Sequence, residues 1–410
     1  MEFDSDLVRD AESASKTARA PALVSNRVDI GGHSVRRVVG EFWTAGQRRA
    51  SSLHEISYRA CFKPQLPAYF IRRFTAEGDI VYDPFSGRGT TIIEAALSGR
   101  RIVANDANPL SMILARARLD VPDSGEMAAR LQMFDYDPNV HPDRDLSMFY
   151  ETRTASEVAW LRSYLRDRRD SGAEDAIDAW IRMIATNRLT GHSPGFFSVY
   201  TFPPNQAVSA ASQTRINRRR GQTPEYRDTK AIILKKTQRL LRNVSCDDTV
   251  KLKAAAASAM FLTGDAGSTS TIPDGHVDLT VTSPPFLDIV QYTDDNWLRC
   301  WFNDLPLDEI APRITMARTI DAWCAAMGRV FDELFRVTRG GGVVAFEVGE
   351  IRNGKIRLED YVVPLGIRAG FHCEAVLINT QRFTKTANIW GVVNNRAGTN
   401  SNRIAVFRRP

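Results

Sequence analysis

The sequence predicts an α/β fold, with a mostly parallel sheet, helices on both faces and a largely helical insertion. A strand, a glycine-rich turn, a helix and a second strand follow one another over residues 78–109. The same alternation of strand and helix returns over residues 259–350. Between these regions, from about 120 to 250, the strand signals stop and helical spacing replaces them. An α/β core that is divided by an insertion accounts for this pattern.

The first half of the predicted sheet is a βαβ unit. The segment GDIVYDPF (78–85) is typical of a short buried strand that ends in a turn, and GTTIIEAALSGR (89–100) is typical of a helix. A second strand, RIVANDANP (101–109), ends at a proline. Upstream, a Lys63-Pro64 turn opens a further helix that extends to Phe74.

The second half of the sheet lies after the insertion. Strands are predicted in AMFLTGDA (259–266), HVDLTVTSPPF (276–286) and GGGVVAFEVGE (340–350), with an amphipathic helix before the last of them. The tail segments FHCEAVLINTQRF (371–383) and NRIAVFRR (402–409) read as two strands of an antiparallel hairpin.

These patterns divide the chain into three parts. Residues 1–45 are predicted to be a partly disordered lead-in, because they are polar and poorly periodic. Residues 46–120 and 255–410 form the predicted α/β domain. Residues 121–254 are the insertion, which is helical and, between 215 and 242, densely basic.

Composition excludes several classes of protein. The 410 residues carry a net charge of +6, which is compatible with a nucleic-acid partner. The five cysteines and six histidines are scattered, so neither a disulfide framework nor a metal site is expected. No apolar run approaches the ~20 residues of a membrane span, and the acidic amino terminus does not resemble a secretory signal. We therefore expect a cytoplasmic protein.

The turn DPFSGRGTT (83–91) has the residues of a ligand-binding loop. Gly87 and Gly89 allow positive φ angles and a close approach to the backbone. The pattern is neither Gly-x-Gly-x-x-Gly nor a phosphate loop, and Asp83 would repel a phosphate but attract a cation. Asp106 and Asp265 also follow strands, where they could accept hydrogen bonds from ribose and adenine. This set favours S-adenosylmethionine over a nicotinamide dinucleotide.

The Ser-Pro-Pro-Phe sequence at 283–286 follows a strand and suggests chemistry on an amino group. An exocyclic amino nitrogen of a base is a poor nucleophile, since its lone pair is conjugated with the ring. Ser283 Oγ and the carbonyl of Pro284 can accept its two hydrogens, and the prolines hold these acceptors in place beforehand. Phe286 offers a face for stacking. A base of duplex DNA would have to be flipped out to reach this turn.

With these motifs in this order, the sequence resembles the amino-methyltransferases of DNA, which have the class I, Rossmann-like, S-adenosylmethionine-dependent fold. The glycine motif precedes the Ser-Pro-Pro motif and the insertion lies between them, which is the order of the family's α group. The resemblance covers roughly 50–110 and 260–408 and rests on KPQLP (63–67), DPFSGRGTT (83–91), NDANP (105–109), GDA (264–266), TSPPF (282–286), VQYTDDNWLRCWF (290–302) and VFDELFRVTRGGGVVAFEVGE (330–350).

The resemblance implies roles by position. Catalysis and base stacking would fall to Ser283, Pro284, Pro285 and Phe286. The cofactor site would comprise Asp83, Phe85, Gly87, Gly89, Thr90 and Ala266, with Asp106 at the ribose, Asp265 at the adenine and Lys63 at the methionine carboxylate.

The family motif also bears on the target base. Ser in its first position goes mostly with cytosine N4, and Asp or Asn goes mostly with adenine N6, so Ser283 implies a cytosine-N4 methyltransferase. Three alternatives stay open: methylation of adenine N6 in DNA, methylation of a base in RNA, and a catalytically inactive DNA-binding protein.

The basic part of the insertion is predicted to be the target-recognition region. Arg215, Arg218, Arg219 and Arg220 would neutralise phosphates of double-stranded DNA. The polar side chains that could read base edges are Asn205, Gln206, Gln213 and Asn217. Such an enzyme would associate with the nucleoid and could have a cognate restriction endonuclease as partner, with no metal and no membrane involved.

Overall fold

The structure is a computed structural model that describes residues 23–40, 42, 50–58, 61–201, 207–285, 292–310, 312, 317, 319–351, 356–380 and 401–410. Phe286, Asn205 and Gln206 lie outside the described residues.

A nine-stranded mixed sheet forms the centre of the fold, in the order β1-β2-β10-β11-β7-β6-β3-β4-β5. The strands are β1 (Val24–Ile30), β2 (His33–Gly40), β3 (Ile80–Asp83), β4 (Arg101–Asn105), β5 (Met260–Leu262), β6 (Val277–Thr282), β7 (Thr338–Val348), β10 (His372–Thr380) and β11 (Ser401–Arg408). Two short strands, β8 (Glu350–Ile351) and β9 (Ile356–Arg357), pair separately.

The sheet has the predicted class I topology. Strands β3 to β7 are parallel neighbours, and β11 is inserted antiparallel between β7 and β10. The chain order reverses between β3 and β6, so the carboxyl ends of these two strands flank a crevice in which α/β proteins bind ligands. The α/β fold predicted from the sequence is therefore confirmed, as is the antiparallel pairing of the two tail segments.

Residues 24–40 form a β-hairpin that the sequence did not predict. Its second strand, β2, pairs parallel with β10 and extends the sheet beyond its usual edge. Polar residues dominate this segment because one strand lies at the exposed edge, and only Ile30, Val35, Val38 and Gly40 are buried. The predicted lead-in over residues 1–45 thus contains ordered strands.

Helices cover both faces of the sheet and form the insertion. They are α1 (Gln65–Phe74), α2 (Thr90–Leu97), α3 (Leu110–Arg116), α4 (Ser124–Gln132), α5 (Thr152–Asp170), α6 (Ala176–Arg188), α7 (Ala210–Arg220), α8 (Thr229–Leu241), α9 (Cys246–Ser258), α10 (Tyr292–Phe302), α11 (Leu307–Ile310), α12 (Ile320–Val337) and α13 (Glu359–Arg368).

Alternation along the strands divides the core into two layers. Val81 packs on one face of the sheet with Ile92 of α2, whereas Tyr82 packs on the other face with Phe331 of α12. Trp180 and Ile233 of the insertion belong to the first layer. The insertion therefore shares a continuous core with one face of the sheet.

Two features are absent from the described part of the chain. None of its helices is both long and apolar enough to cross a membrane. Within the same residues, no three His, Cys, Asp or Glu side chains are grouped so that they could hold a metal ion.

Candidate active site

A cleft opens at the carboxyl ends of strands β3, β4 and β6. It encloses about 930 Å³ of space when its open mouth is counted. The predicted residues that line it are Asp83, Phe85, Gly87, Thr90, Asp106, Asp265, Ala266, Ser283 and Pro285. The glycine motif and the Ser-Pro-Pro motif, about 200 positions apart in the sequence, thus share one cleft.

A direct hydrogen bond joins the two motifs. The Thr282 hydroxyl donates to Oδ1 of Asp83 at 2.6 Å, and both side chains are buried. A second link runs from the Thr91 hydroxyl of α2 to the carbonyl of Val281, at 3.0 Å. These bonds fix the end of β6 against the end of β3, so the two motifs are held at a constant separation.

The glycine turn uses positive φ angles at two positions. Gly87 has φ 49° and Gly89 has φ 76°. Gly89 precedes α2, and a Cβ atom there would lie 2.7 Å from the Cβ of Ala115 in α3. Gly89 therefore permits close packing of two helices, whereas Gly87 lines the cleft itself.

Asp106 is positioned by the same turn. One carboxylate oxygen accepts the backbone N–H of Gly87 at 2.8 Å, and the other accepts that of Asn108 at 2.8 Å. The preceding residue, Asn105, donates its amide to the carbonyls of Pro84 and Gly264, each at 3.1 Å. Asn105 thereby connects the loops after β3 and β5, and its role was not evident from the sequence.

Burial changes the acidity of two carboxyls in the cleft. It raises the pKa of Asp83 to about 7, although hydrogen bonds from Thr282, Thr91 and the Phe85 amide act in the opposite direction. Burial also raises the pKa of Asp106 to about 6. Each carboxylate is therefore costly to keep charged without a cation, and a positively charged ligand would stabilise its ionised form.

The Ser-Pro-Pro turn is anchored from behind. The indole of Trp323, a buried residue of α12, donates to the carbonyl of Pro285 at 3.0 Å. Pro284 is buried and does not line the cleft, while Ser283 on one side and Pro285 on the other do. The sequence predicted only an amphipathic helix in this region, so the contact of Trp323 with the motif is a new finding.

One wall of the cleft comes from residues just before α1. Tyr58, Cys61 and Phe62 line it. Arg88 of the glycine turn holds this wall by donating to the carbonyls of Ile56, at 3.0 Å, and Phe62, at 3.4 Å. The sequence indicated only that this region preceded a helix, because the arginine's acceptors are backbone atoms that no side-chain pattern reveals.

Part of this chain is similar in sequence to known proteins. Residues 9–113 match the model of a family described as DNA methylase, which spans the N6 and N4 types. The type II methyltransferase M.MjaII of Methanocaldococcus jannaschii is 35% identical over 78 residues, which is 19% of this chain and 15% of that protein. M2.DpnII of Streptococcus pneumoniae is 42% identical over 60 residues, 14% of this chain and 22% of that protein.

Over residues 9–113, this chain is similar to the DNA amino-methyltransferase family. The matched segments span less than a quarter of the length of these curated relatives.

Solved methyltransferases overlay on the chain loosely. TrmN of Thermus thermophilus has a TM-score of 0.35 at 13% identity and covers 97% of this chain and 64% of its own. The rRNA methyltransferase aviRa of Streptomyces viridochromogenes also has a TM-score of 0.35, at 12% identity. It covers 88% of this chain and 90% of its own. Overlays with such low scores do not establish the fold; the strand order of the sheet does.

Three described residues that the family resemblance assigned to the site do not line the cleft, and a fourth is not described. Lys63 is exposed and lies next to Phe62, which does line it. Gly89 packs under the turn and Pro284 is buried behind it. Phe286 lies outside the described residues. The direct roles assigned to these four residues stay predictions.

The insertion displays its arginines but not all of its amides. Arg215, Arg218, Arg219 and Arg220 are exposed on α7. Gln213, by contrast, is fully buried and donates to the carbonyl of Tyr200 at 3.0 Å. Asn217 donates to the carbonyl of Met148 at 2.8 Å. The expectation that these two amides read base edges is wrong, because both tie α7 to the rest of the insertion.

Proposed function

We propose that this chain transfers a methyl group from S-adenosylmethionine to the exocyclic N4 amino group of a flipped-out cytosine in DNA. The observation that carries this proposal is the shared cleft, in which the acids after β3, β4 and β5 lie together with Ser283 and Pro285. The match of residues 9–113 to the DNA methylase family supports the reaction class, and the serine in the first motif position supports cytosine N4.

The residues of the cleft fit the proposed cofactor. Three carboxylates, those of Asp83, Asp106 and Asp265, stand at the carboxyl ends of neighbouring strands, where they suit a ligand with hydroxyl and amino donors and a positive charge. The buried Asn105 has an amide oxygen without a partner among the described residues, which leaves an acceptor close to these loops. Apolar contacts come from Phe85 and Val330.

When bound, S-adenosylmethionine supplies a methyl group on a sulfonium centre. Asp106 would accept hydrogen bonds from the ribose hydroxyls, since its two backbone donors fix both carboxylate oxygens in place. Ser283 would accept a hydrogen from the target amine and draw its lone pair out of conjugation. Because Trp323 and Thr282 anchor the turn on both sides, little reorganisation is needed when the reaction occurs.

The insertion, residues 121–254, is the proposed target-recognition region. Its exposed arginines on α7 would neutralise DNA phosphates. The sharing of a core between the insertion and the sheet supports this role, because contacts made by the insertion would fix the DNA relative to the cleft. A DNA substrate also places the protein at the nucleoid in the cytoplasm, and a cognate endonuclease is a proposed partner.

The experiment is a comparison of modified bases in DNA from a host without methylation of its own. Cells that express the chain should contain N4-methylcytosine at a defined sequence, and cells that express Ser283→Ala should not. N6-methyladenine instead would favour the second function covered by the family model. DNA without modification, together with methylated RNA, would remove DNA as the substrate.

A further inference from the structure

A buried carboxylate lies directly behind Ser283. Strand β6 pairs with β7 so that Thr282 is opposite Phe346, which makes Ser283 and Glu347 neighbours at the next position. Ser283 is close enough to Glu347 that hydrogen bonding from its side chain acts to lower the pKa of that carboxyl, against the larger effect of burial. From the other side, the amide of Asn402 on β11 donates to Oε1 of Glu347 at 2.6 Å. Glu347 thus bridges the predicted catalytic turn and strand β11.

Glu347 differs from the acids described above in its position. Its side chain is only 8% exposed and is not among the residues that line the cleft. Ser283 lies on one side of its carboxyl, and Asn402 donates a hydrogen bond to it from the other. The cation beside it on β11, Arg403, pairs instead with Glu350 and Glu359.

Packing alone does not account for a carboxyl group here. Burial raises the pKa of Glu347, which means that its charged form is costly at this place. A glutamine would fill the same volume without that cost. The two groups differ in what they offer Ser283, since a carboxylate only accepts hydrogen bonds whereas an amide also donates them.

We propose that Glu347 is a positioning residue that binds the hydroxyl hydrogen of Ser283 and so turns the oxygen of Ser283 toward the cleft as an acceptor. This inference rests on the proposed function and deepens it. A serine hydroxyl that is free to rotate presents its hydrogen to the cleft part of the time, and that hydrogen would repel the hydrogens of the target amine. With its hydrogen held by Glu347, Ser283 faces the amine with lone pairs only.

Asn402 makes the direction of this bond testable. In Glu347→Gln, the Asn402 amide would still donate to the glutamine oxygen, which leaves the glutamine NH₂ facing Ser283. That group would donate to the Ser283 oxygen, so the hydroxyl hydrogen would turn toward the cleft. The variant therefore reverses one hydrogen bond while it preserves the shape of the side chain.

The experiment measures single-turnover transfer of tritiated methyl groups from S-adenosylmethionine to DNA by purified full-length variants. Glu347→Gln should lower the maximal rate on the order of tenfold to hundredfold. Its dissociation constant for S-adenosylhomocysteine, measured by calorimetry, should stay within about twofold of wild type, because Glu347 does not line the cleft. Asn402→Ala removes the donor that orients Glu347 and should lower the same rate less strongly.

Two comparisons separate positioning from a general structural role. Glu374→Gln changes a partly buried carboxyl near the amino-terminal start of β10, at the opposite end of the strands from Glu347, and should leave the rate unchanged. In a Ser283→Ala background, Glu347→Gln should cause no further loss of rate, since there is no hydroxyl left to orient.

The outcomes divide clearly. A wild-type rate in Glu347→Gln, or an equal loss of rate with and without Ser283, would overturn the positioning role alone. Wild-type protein that labels no nucleic acid would overturn the proposed function, and this inference with it. Loss of S-adenosylhomocysteine binding in Glu347→Gln would show a structural role in place of the one proposed.

Discussion

The hydroxyl of Thr282 donates a 2.6 Å hydrogen bond to Oδ1 of Asp83, and this contact joins the last residue of β6 to the last residue of β3. The two strands are parallel neighbours at the point where the strand order reverses. A ligand held by the turn after β3 is therefore brought beside the turn after β6. The proposed methyl donor and the proposed acceptor would meet because of this register.

Removal of that hydroxyl should weaken both stability and ligand binding. In Thr282→Val, Asp83 loses a buried donor, and we expect the free energy of unfolding to fall by about 1–3 kcal/mol. The pKa of Asp83 should rise further, so S-adenosylmethionine should bind more weakly at pH 7. Urea unfolding and calorimetry measure the two effects.

Thr280 provides a matched control on the same strand. It is fully buried, and its hydroxyl has no hydrogen-bond partner among the described residues. Thr280→Val should therefore be neutral or stabilising. Equal destabilisation by the two substitutions would mean that the bond to Asp83 contributes nothing specific.

The affinity for S-adenosylmethionine should depend on pH. The pKa of Asp83 is raised to about 7, so the carboxyl is mostly protonated at pH 6 and mostly charged at pH 8. If the charged form is needed to bind the cation, affinity should fall about tenfold from pH 8 to pH 6. Calorimetric titration over this range tests the expectation, and Asp83→Asn should flatten the profile.

Unfolding would not explain such a fall in affinity. The pKa values of Asp83 and Asp106 in the folded protein lie above those of unfolded aspartates. Protonation of these two groups at pH 6 therefore favours the folded state, and their contribution to stability is lost as the pH rises through 6 and 7. Thermal unfolding at both pH values provides the check.

Ser283 should matter for chemistry more than for cofactor binding. Ser283→Ala removes one acceptor for the target amine, and we expect the transfer rate to fall about a hundredfold or more. Binding of S-adenosylhomocysteine should change by less than about threefold, because the carboxylates after β3 and β4 stay in place. Strong loss of binding with an unchanged rate constant would contradict the assignment of Ser283 to catalysis.

The exposed arginines of α7 should act through phosphates. Replacing Arg218, Arg219 and Arg220 with alanine should weaken DNA binding and make it less dependent on salt. Each lost phosphate contact should reduce the slope of log K against log salt by roughly 0.9. The paired substitutions Lys251→Ala and Lys253→Ala, on the exposed side of α9, provide a control that should leave the slope unchanged.

The fold could be predicted from the sequence where local pattern and tertiary position agree. Buried strands such as Ile80–Asp83 are continuous apolar runs that end at an acid, and glycines mark the turn that follows. The hairpin over residues 24–40 could not be predicted because one of its strands lies at the sheet edge and both are largely polar. Pairing with β10 stabilises them, and pairing leaves no signal in local composition.

The acids and turns of the site could be predicted from the sequence, but the residues that hold them in place could not. Asp83, Asp106 and Ser283 follow strands, so their common edge could be inferred from a parallel sheet. Trp323, Asn105 and Glu347 act through partners at least 20 residues away in the sequence or through backbone carbonyls. Gln213 was assigned wrongly because a polar side chain in a basic segment looks exposed until its buried acceptor is known.

One measurement tests the central claim most directly. Purified protein is incubated with duplex DNA and S-adenosylmethionine that carries a tritiated methyl group, and the DNA is digested to nucleosides and separated. We predict that the label appears in N4-methylcytosine with wild-type protein and is absent with Asp83→Ala and Ser283→Ala. Label that appears equally with all three proteins, or in no nucleoside at all, would contradict a cleft shared by donor and base.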